Sequence, residues 1–374
     1  MTLDTAFDAT SAVAAGDLCV LAAQPVLAHL QTFGAVPPSF ASLVGDAAVR
    51  LLDTDMIIAQ RPERPERPEG IASSGEPRTA HCELRFDEAA QLESILAHIE
   101  QHGFADHFKP FMRCFMRMMF ALFFTPQQSE KARACLAEGW HCAFLMSDAG
   151  GPSLASWRSI ARSAAGKITL TVDKVWGIHA HREGMAVVAA RLPGLMVPAA
   201  YLVWPDAYRT LRRCACGEPF LDGRLQLGNV SGELEVAPDD RLKIGGPIVF
   251  NKYLTTVRPF FVRALMAHLG WLARVERVAL DANALAALRF LADAAKAQTD
   301  ASVYSLDHVG RALALKFASN ELLASLVRAG AVRSFSDQRD LLAFSKMEGS
   351  SYRCYHELRQ AFQRHGARFE RSER

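Results

Sequence analysis

The spacing of hydrophobic residues changes twice along the 374-residue chain, and this constrains the fold more than any other feature. Residues 10–139 and 245–363 repeat apolar side chains every three or four positions, the period of an amphipathic helix. Residues 142–236 instead contain short β-branched or apolar runs that Gly, Pro and Asp separate, which is typical of strands. Strands between two runs of helices favour an α+β protein and argue against a doubly wound α/β sheet.

The length agrees with two or three domains. We expect an N-terminal helical bundle over residues 1–139, a β-barrel or sandwich over 140–244 and a C-terminal helical bundle over 245–374. Between predicted helices lies RPERPERPEGIASSGEP, residues 61–77, whose prolines forbid a continuous helix and predict an exposed loop. A functional role for its repeated RPE triplet is the alternative interpretation.

Composition excludes several classes of protein. Half of the residues are hydrophobic, which rules out a disordered chain, and the net charge of +2 argues against a dedicated nucleic-acid binder. The most apolar stretch, residues 104–125, contains Lys109, Arg113 and Arg117, so it predicts a buried helix rather than a membrane span. Its many Phe and Met residues also leave open a Met-lined ligand groove.

The termini and cysteines predict a cytoplasmic protein without a metal site. The N-terminus carries acid before any base, unlike a signal peptide. The eight cysteines are scattered and form no CxxC pair, so a zinc site is not predicted. Cys214 and Cys216 are either a redox pair or, as we favour, two free thiols on a loop in a reducing compartment.

Two features of the β-region, a glycine-rich segment and a tryptophan, suggest a binding site. The segment SDAGGPS, residues 147–153, places consecutive glycines after an apolar run, and bare N–H groups in such a turn can approach a phosphate or a flat ring. Trp176 is the last residue of the predicted strand KITLTVDKVW and could cover a planar cofactor. The alternatives are an ordinary Gly-Gly turn, a core tryptophan and, for His179 and His181, ordinary loop histidines rather than metal ligands.

A third candidate is the MEGSS segment, residues 347–351, between two predicted helices. Its carboxylate, Glu348, has the apolar neighbours Phe344, Met347 and Tyr352. Apolar surroundings disfavour a charged carboxylate and make it a better base near neutral pH. The alternative is a Glu-Gly pair that only ends one helix and begins another.

Together these segments resemble the acyl-CoA dehydrogenase family of flavoproteins over nearly the whole chain. FTPQQSEKARACLAEGWHCAFLMSDAGG at 124–151 is similar to the stretch that leads into the family's flavin strand, and KITLTVDKVWGIHA at 167–180 is similar to its Trp-Ile-Thr strand. DGRLQLGNVSGELEVAPDDRL at 222–242 resembles the passage into the last bundle. The most specific match puts Arg339, Asp340, Glu348 and Gly349 in register with the family's Arg-Asp, seven residues, Glu-Gly-Thr-Ser.

The resemblance implies a reaction and a cofactor. Glu348, in its pair with Gly349, would remove the α-proton of an acyl thioester, and N5 of bound FAD would accept hydride from the β-carbon. The backbone N–H of Glu348 would stabilise the thioester carbonyl. The residues that the resemblance places against FAD are Ser147, Ala149, Gly150, Gly151, Trp176, Ile178 and Ser350.

The resemblance also implies partners: an acyl-CoA or acyl-carrier-protein substrate, an electron-acceptor flavoprotein and a second copy of the chain in a homodimer or homotetramer. Neither nucleic acid nor membrane is expected. Two other functions stay open. A flavin oxidase or monooxygenase of the same fold is less favoured, because such relatives often lose the Glu that is retained here. A non-catalytic homologue without FAD is supported by missing Arg-Gln-Phe-Gly and Gly-Gly elements, where only Gly330 remains.

Overall fold

A computed structural model of the chain describes residues 15–59, 88–151, 153–164, 166–195, 198–242, 247–300 and 304–372. The proline-rich segment 61–77 lies outside the described residues. Helices precede and follow a set of strands, which confirms the predicted α+β order. The helices are α1 (Ala15–Leu30), α2 (Pro38–Ala59), α3 (Glu88–His102), α4 (Phe108–Phe123), α5 (Pro126–Ala137), α6 (Pro205–Arg209), α7 (Pro247–Arg274), α8 (Ala282–Thr299), α9 (Leu306–Arg328), α10 (Phe335–Phe344) and α11 (Ser351–Ser372). The strands are β1 (His141–Leu145), β2 (Ile160–Ala164), β3 (Lys167–Ile178), β4 (Gly184–Arg191), β5 (Pro198–Val203), β6 (Arg212–Phe220) and β7 (Leu225–Val236).

The chain forms two compact units, each assembled from separate segments. The first comprises Met1–Glu83, Val278–Arg333 and Leu341–Arg374, and in its described part α1, α2, α8, α9 and α11 pack on one another. The second comprises Leu84–Arg277 and Ser334–Asp340, and contains α3 to α7 with all the named strands. Compactness therefore groups α1 and α2 with the C-terminal helices, whereas the three predicted domains follow chain order.

The strands of the second unit form one mixed sheet in the order β1-β4-β2-β3-β7-β6, with β5 also paired to β4. β1 runs parallel to β4, whereas β3 pairs antiparallel with both β2 and β7. Every residue of β5 is buried, as is β4 except for Arg191, because both strands consist almost entirely of apolar residues. The sheet thus supplies the core from which the turn at residues 147–151 extends.

Strand β6 is a feature that the sequence did not predict. Its segment RRCACGEPF does not alternate between apolar and polar residues, because most of the strand is exposed and it pairs only with β7. Cys214 and Cys216 therefore lie on a strand, and the prediction that they occupy a loop is wrong. Both thiols are free, as are all the cysteines in the described residues.

The apolar segment around residues 104–124 forms the buried helix that the sequence predicts. Nine of the sixteen residues of α4 are buried, Met116, Met118 and Met119 among them. The ring of Phe111 packs against those of Phe104 and Phe115, with centroids 5.3 and 4.5 Å apart. Among the described residues, no helix combines the length and apolarity that crossing a bilayer requires.

Acidification should destabilise the second unit, because three of its histidines are held neutral. Burial lowers the pKa of His141 and of His268 to about 4 and that of His179 to about 3. The unfolded chain takes up protons near the ordinary pKa of about 6.5, so it binds more protons than the folded state between that pH and the lowered values. The free energy of unfolding should fall by about 1.4 kcal/mol per pH unit and histidine in that window.

One carboxyl group acts in the opposite direction. Burial raises the pKa of Asp340 to about 6, which favours the folded state as the pH falls and offsets the destabilising effect of roughly one histidine. The effect of the other two histidines remains.

We expect a clear decrease of Tm between pH 7 and pH 5, measured by circular dichroism. His268 accepts a hydrogen bond from the Phe104 N–H through Nδ1 at 3.3 Å, so its ring is neutral, and His268→Gln should flatten the decrease. A Tm that stays constant over this range would contradict the assignment of neutral buried histidines.

Candidate active site

The turn after β1, residues 147–151, is organised by the carboxylate of Asp148. Its Oδ1 accepts hydrogen bonds from the N–H groups of Gly150 at 2.9 Å and Arg158 at 2.7 Å. Its Oδ2 accepts one from the N–H of Ser159 at 3.0 Å. Burial alone would raise the pKa of Asp148, but these donors and the charge of Lys174 outweigh burial and lower it. The turn is thus closed by an ionised side chain of its own.

Lys174 is the buried counter-ion of this carboxylate. Its side chain is fully shielded from solvent, and Nζ lies 3.2 Å from Oδ2 of Asp148 and donates to the carbonyl of Met146 at 3.1 Å. The ammonium group also lies over the ring of Trp157, 4.1 Å from the centroid. Burial lowers the pKa of Lys174 to about 8, against the opposing effect of Asp148.

The backbone amides of the turn are already hydrogen-bonded. Ala149 donates to the carbonyl of Asp173 and Gly151 to that of Asp148, both at 3.0 Å, while Gly150 donates to the Asp148 side chain. The expectation that this turn presents bare N–H groups is therefore wrong. Gly150 is required for packing, since a Cβ at that position would lie 1.9 Å from the carbonyl oxygen of Ser156. A cofactor contact by Ala149, Gly150 and Gly151 remains a prediction.

Trp176 lies on β3 beside this turn. Val175 donates to the carbonyl of Ser147 at 3.0 Å, and the ladder between β3 and β7 is irregular from Lys174 to Gly177. Trp176 itself has a left-handed φ of 58°, and its N–H donates to Oδ1 of Asn229 at 3.2 Å. The residue is 63% exposed, which excludes the alternative of a core tryptophan. A bulge that turns an aromatic ring into solvent is a feature that functional sites often contain.

Ile178, the last predicted residue on this strand, adjoins a group of histidines. Its carbonyl interacts with Nε2 of His141 at 3.0 Å, and the His141 ring lies 5.4 Å from that of His179. His181 follows, with its ring centroid 6.3 Å from that of His179. Within the described ranges, no set of three His, Cys, Asp or Glu side chains is arranged to hold a metal ion. The sequence did not predict that His141 belongs to this group, because the β2–β3 hairpin separates it from His179 along the chain.

Glu348 lies in the first unit, on the turn between the end of α10 at Phe344 and the start of α11. It is half-buried and has a φ of 56°, and Gly349 has a φ of 123°. Glu348 is thus one of six non-glycine residues with a left-handed backbone in the described part of the chain, a conformation that surrounding contacts must maintain. The carbonyl of Gly349 accepts a hydrogen bond from Nδ2 of Asn320 on α9 at 3.0 Å.

Ser350 is the N-cap residue of α11. Its Oγ accepts a hydrogen bond from the N–H of Arg353 at 3.4 Å, and its carbonyl accepts one from Cys354 at 3.0 Å. A serine in this position satisfies the first amides of the helix whether or not it also contacts a cofactor. The flavin contact of Ser350 therefore remains a prediction, with a structural role beside it.

Arg339 and Asp340, which carry half of the most specific sequence match, hold the β6–β7 turn in the second unit. Arg339 donates to Oε2 of Glu218 at 2.9 Å and to the carbonyl of Pro219 at 2.6 Å. Oδ2 of Asp340 accepts from the N–H of Leu221 at 3.0 Å, where the backbone has a left-handed φ of 51°. Arg339 and Asp340 therefore have a structural role, because they stabilise the left-handed backbone of the β6–β7 turn.

The predicted site residues form two groups. The turn 147–151, Trp176 and Ile178 are brought together in the second unit by the hydrogen bonds of β3. Glu348, Gly349 and Ser350 are consecutive residues of the first unit. Asn320 and its neighbour Lys316 belong to the second of these groups and escaped sequence reasoning, although a polar pair inside the apolar run ALALKFASNELLASL is a detectable signal.

No family model and no curated protein matches this sequence. Solved structures do. FkbI, for biosynthesis of the methoxymalonyl extender unit of the polyketide Fk520, aligns with a TM-score of 0.57 and 16% identity, over 72% of this chain and 83% of that one. Glutaryl-CoA dehydrogenase from Mycobacterium smegmatis aligns with a TM-score of 0.57 and 13% identity, over 94% and 95%. Acyl-CoA dehydrogenase complexed with FAD from Bacillus anthracis gives 0.52 and 12%, over 76% and 70%. The chain thus has the acyl-CoA dehydrogenase fold, which confirms the resemblance at the level of fold.

Proposed function

We propose that this protein is an FAD-dependent oxidoreductase that dehydrogenates an acyl thioester between its α- and β-carbons. The observation that carries the proposal is the turn at residues 348–349. In a chain with this fold, a half-buried glutamate is held in a left-handed conformation at the position where the sequence match places a catalytic base. The acyl group would be carried by coenzyme A or a carrier protein, in a cytoplasmic homo-oligomer.

The second unit fits the flat ring of FAD better than its phosphates. Trp176 presents an exposed aromatic face, and the exposed Ser147 lies beside it through the Val175 hydrogen bond. The amides of Ala149, Gly150 and Gly151 have intramolecular acceptors, so they do not supply a pyrophosphate site. Trp176 and Ser147 would therefore hold the ring portion. When bound, FAD would supply the acceptor for the hydride that leaves the β-carbon.

Glu348 has the role of general base. Its carboxylate takes the α-proton, the electron pair of that C–H bond forms the new double bond, and the hydride leaves from the β-carbon. The thioester loses two hydrogens in total, one as a proton on Glu348. The left-handed backbone fixes where the carboxylate lies, and the N–H of Glu348 is a candidate donor to the thioester carbonyl.

A spectrum of the purified protein tests the cofactor. We expect a yellow protein with an oxidised-flavin spectrum, or one that takes up added FAD, and we expect the band to bleach when an acyl-CoA is added without oxygen. Peroxide production from the same substrate in air would favour the oxidase alternative. Bound flavin that no acyl-CoA or acyl-carrier-protein reduces would contradict the proposed reaction.

A non-catalytic homologue is the second candidate, and one observation favours it. The three amides of the glycine turn are engaged within the protein, and the sequence lacks two of the family's FAD elements. A colourless protein that takes up no added FAD would establish this candidate and exclude both flavin-dependent functions.

A further inference from the structure

Two fully buried side chains of α9 hold both ends of the Glu348 turn. Nζ of Lys316 donates to the carbonyl of Phe344 at 3.1 Å, where α10 ends. Nδ2 of Asn320 donates to the carbonyl of Gly349 at 3.0 Å, directly after Glu348. Lys316 and Asn320 both have zero exposure. The segment between these two carbonyls contains the proposed base and the left-handed backbone.

The two side chains also fix each other. Nζ of Lys316 donates to Oδ1 of Asn320, four residues further along the same face of α9. This contact determines the orientation of the Asn320 amide, because its oxygen faces the ammonium group and its NH₂ must face Gly349. A buried, charge-assisted hydrogen bond of this kind is stronger and more directional than an exposed one.

We propose that Lys316 and Asn320, here called the α9 latch, are positioning residues for Glu348. The latch keeps the turn in its left-handed conformation, so that the carboxylate stays where it removes the α-proton. The inference rests on the proposed function for its catalytic consequence. Its structural half, the restraint of residues 345–351, does not depend on FAD or on turnover.

The sharpest variant is Asn320→Asp. A carboxylate keeps an acceptor for Lys316 and nearly the same volume, but it loses the NH₂ donor and turns an oxygen towards the carbonyl of Gly349. Gln298→Glu is the matched control. Gln298, buried on α8 in the same unit, donates from Nε2 to the carbonyl of His308 at 3.1 Å, so the same amide-to-carboxylate exchange removes an equivalent buried bond elsewhere.

Hydrogen–deuterium exchange of the full-length protein gives the first measurement. In Asn320→Asp, the amides of residues 345–351 should exchange faster by about fivefold or more, as expected for the loss of a local hydrogen bond. In Gln298→Glu their exchange should equal that of wild type, even if Tm falls by a similar amount in both variants. Unchanged exchange at 345–351 in Asn320→Asp would overturn the proposal.

Flavin reduction by an acyl thioester in a single turnover gives the second. Displacement of a base by about 1 Å can lower the rate of proton removal by about 10²-fold. In Asn320→Asp the acyl thioester should therefore reduce the flavin roughly 10- to 100-fold more slowly than in wild type, at unchanged flavin content. Gln298→Glu should keep the wild-type rate. A wild-type rate in Asn320→Asp, despite faster exchange, would also overturn the positioning role.

Two cases need a separate test: a variant that does not fold, and a wild-type protein whose flavin is not reduced. If Asn320→Asp does not fold, Lys316→Met removes the other half of the α9 latch while keeping the aliphatic stem, with the same expectations. If wild-type flavin is not reduced by any acyl thioester, the proposed function fails. The exchange experiment then decides alone whether Lys316 and Asn320 restrain the turn.

Discussion

Glu348→Gln should slow the reduction of bound flavin by an acyl thioester by about 10²- to 10⁴-fold, the range that a general base contributes. The substitution removes the basic oxygen but keeps the length, the volume and the hydrogen-bonding capacity of the side chain. The backbone of the turn is held by contacts to the carbonyls of Phe344 and Gly349, which the substitution leaves in place. Flavin content and Tm should therefore equal those of wild type, and stopped-flow absorbance under anaerobic conditions measures the rate.

Two companion variants identify the effect with the base. Glu183→Gln changes an exposed glutamate whose carboxylate lies 3.7 Å from the guanidinium of Arg209, an exposed pair that contributes little, so it should leave the rate unchanged. Glu348→Asp retains a carboxylate on a shorter side chain, and it should be slower than wild type but faster than the Gln variant. Full-speed bleaching of the flavin in Glu348→Gln would remove this residue from the mechanism and leave the fold without an assigned base.

Hydrophobic spacing predicted the order of elements because buried faces decide it. The named strands lie between His141 and Val236, against the predicted 142–236, and α4 lies inside the stretch 104–125 that was predicted to form a buried helix. Strand β6 was missed because it is an exposed edge whose hydrogen bonds come from β7, a contact that its own residues do not encode. The grouping of α1 with α9 is likewise a long-range contact with no local signal.

The candidate site divides in the same way. Glu348 could be proposed from sequence because a Glu-Gly pair between two helices is a local pattern. The glycines after β1 were correctly located, but the amides of Gly150 and Gly151 both donate to Asp148. The amide of the adjacent Ala149 donates to the carbonyl of Asp173, more than twenty residues away along the chain. Asp148 in turn depends on Lys174 and on the amides of Arg158 and Ser159. Such networks are invisible until the strands are aligned, so the sequence located the turn but not what closes it.

Asp148→Ala should destabilise the second unit by about 3–5 kcal/mol, the cost of removing one partner from a buried ion pair. The substitution leaves the Lys174 ammonium buried without its carboxylate, and it removes the acceptor of three backbone N–H groups. Asp173→Ala is the control, on β3 directly before Lys174. Its carboxylate lies 3.4 Å from an Arg158 side chain that is 67% exposed, and such pairs contribute at most about 1 kcal/mol.

A double variant separates two effects of Asp148→Ala, the unpaired ammonium group of Lys174 and the loss of an acceptor for the backbone N–H groups. Lys174→Met keeps an aliphatic chain beside Trp157 and removes the ammonium group, so Asp148→Ala/Lys174→Met should be more stable than Asp148→Ala alone. Chemical denaturation of wild type, the two single variants and the double variant measures the coupling free energy between Asp148 and Lys174. Flavin uptake reports whether the turn that carries Ser147 keeps its structure. If the double variant is no more stable than Asp148→Ala, the cost arises from the unpaired amides of the turn and not from the buried cation. The hydrogen bonds that the carboxylate accepts from backbone amides would then stabilise the turn, and the ion pair with Lys174 would contribute little.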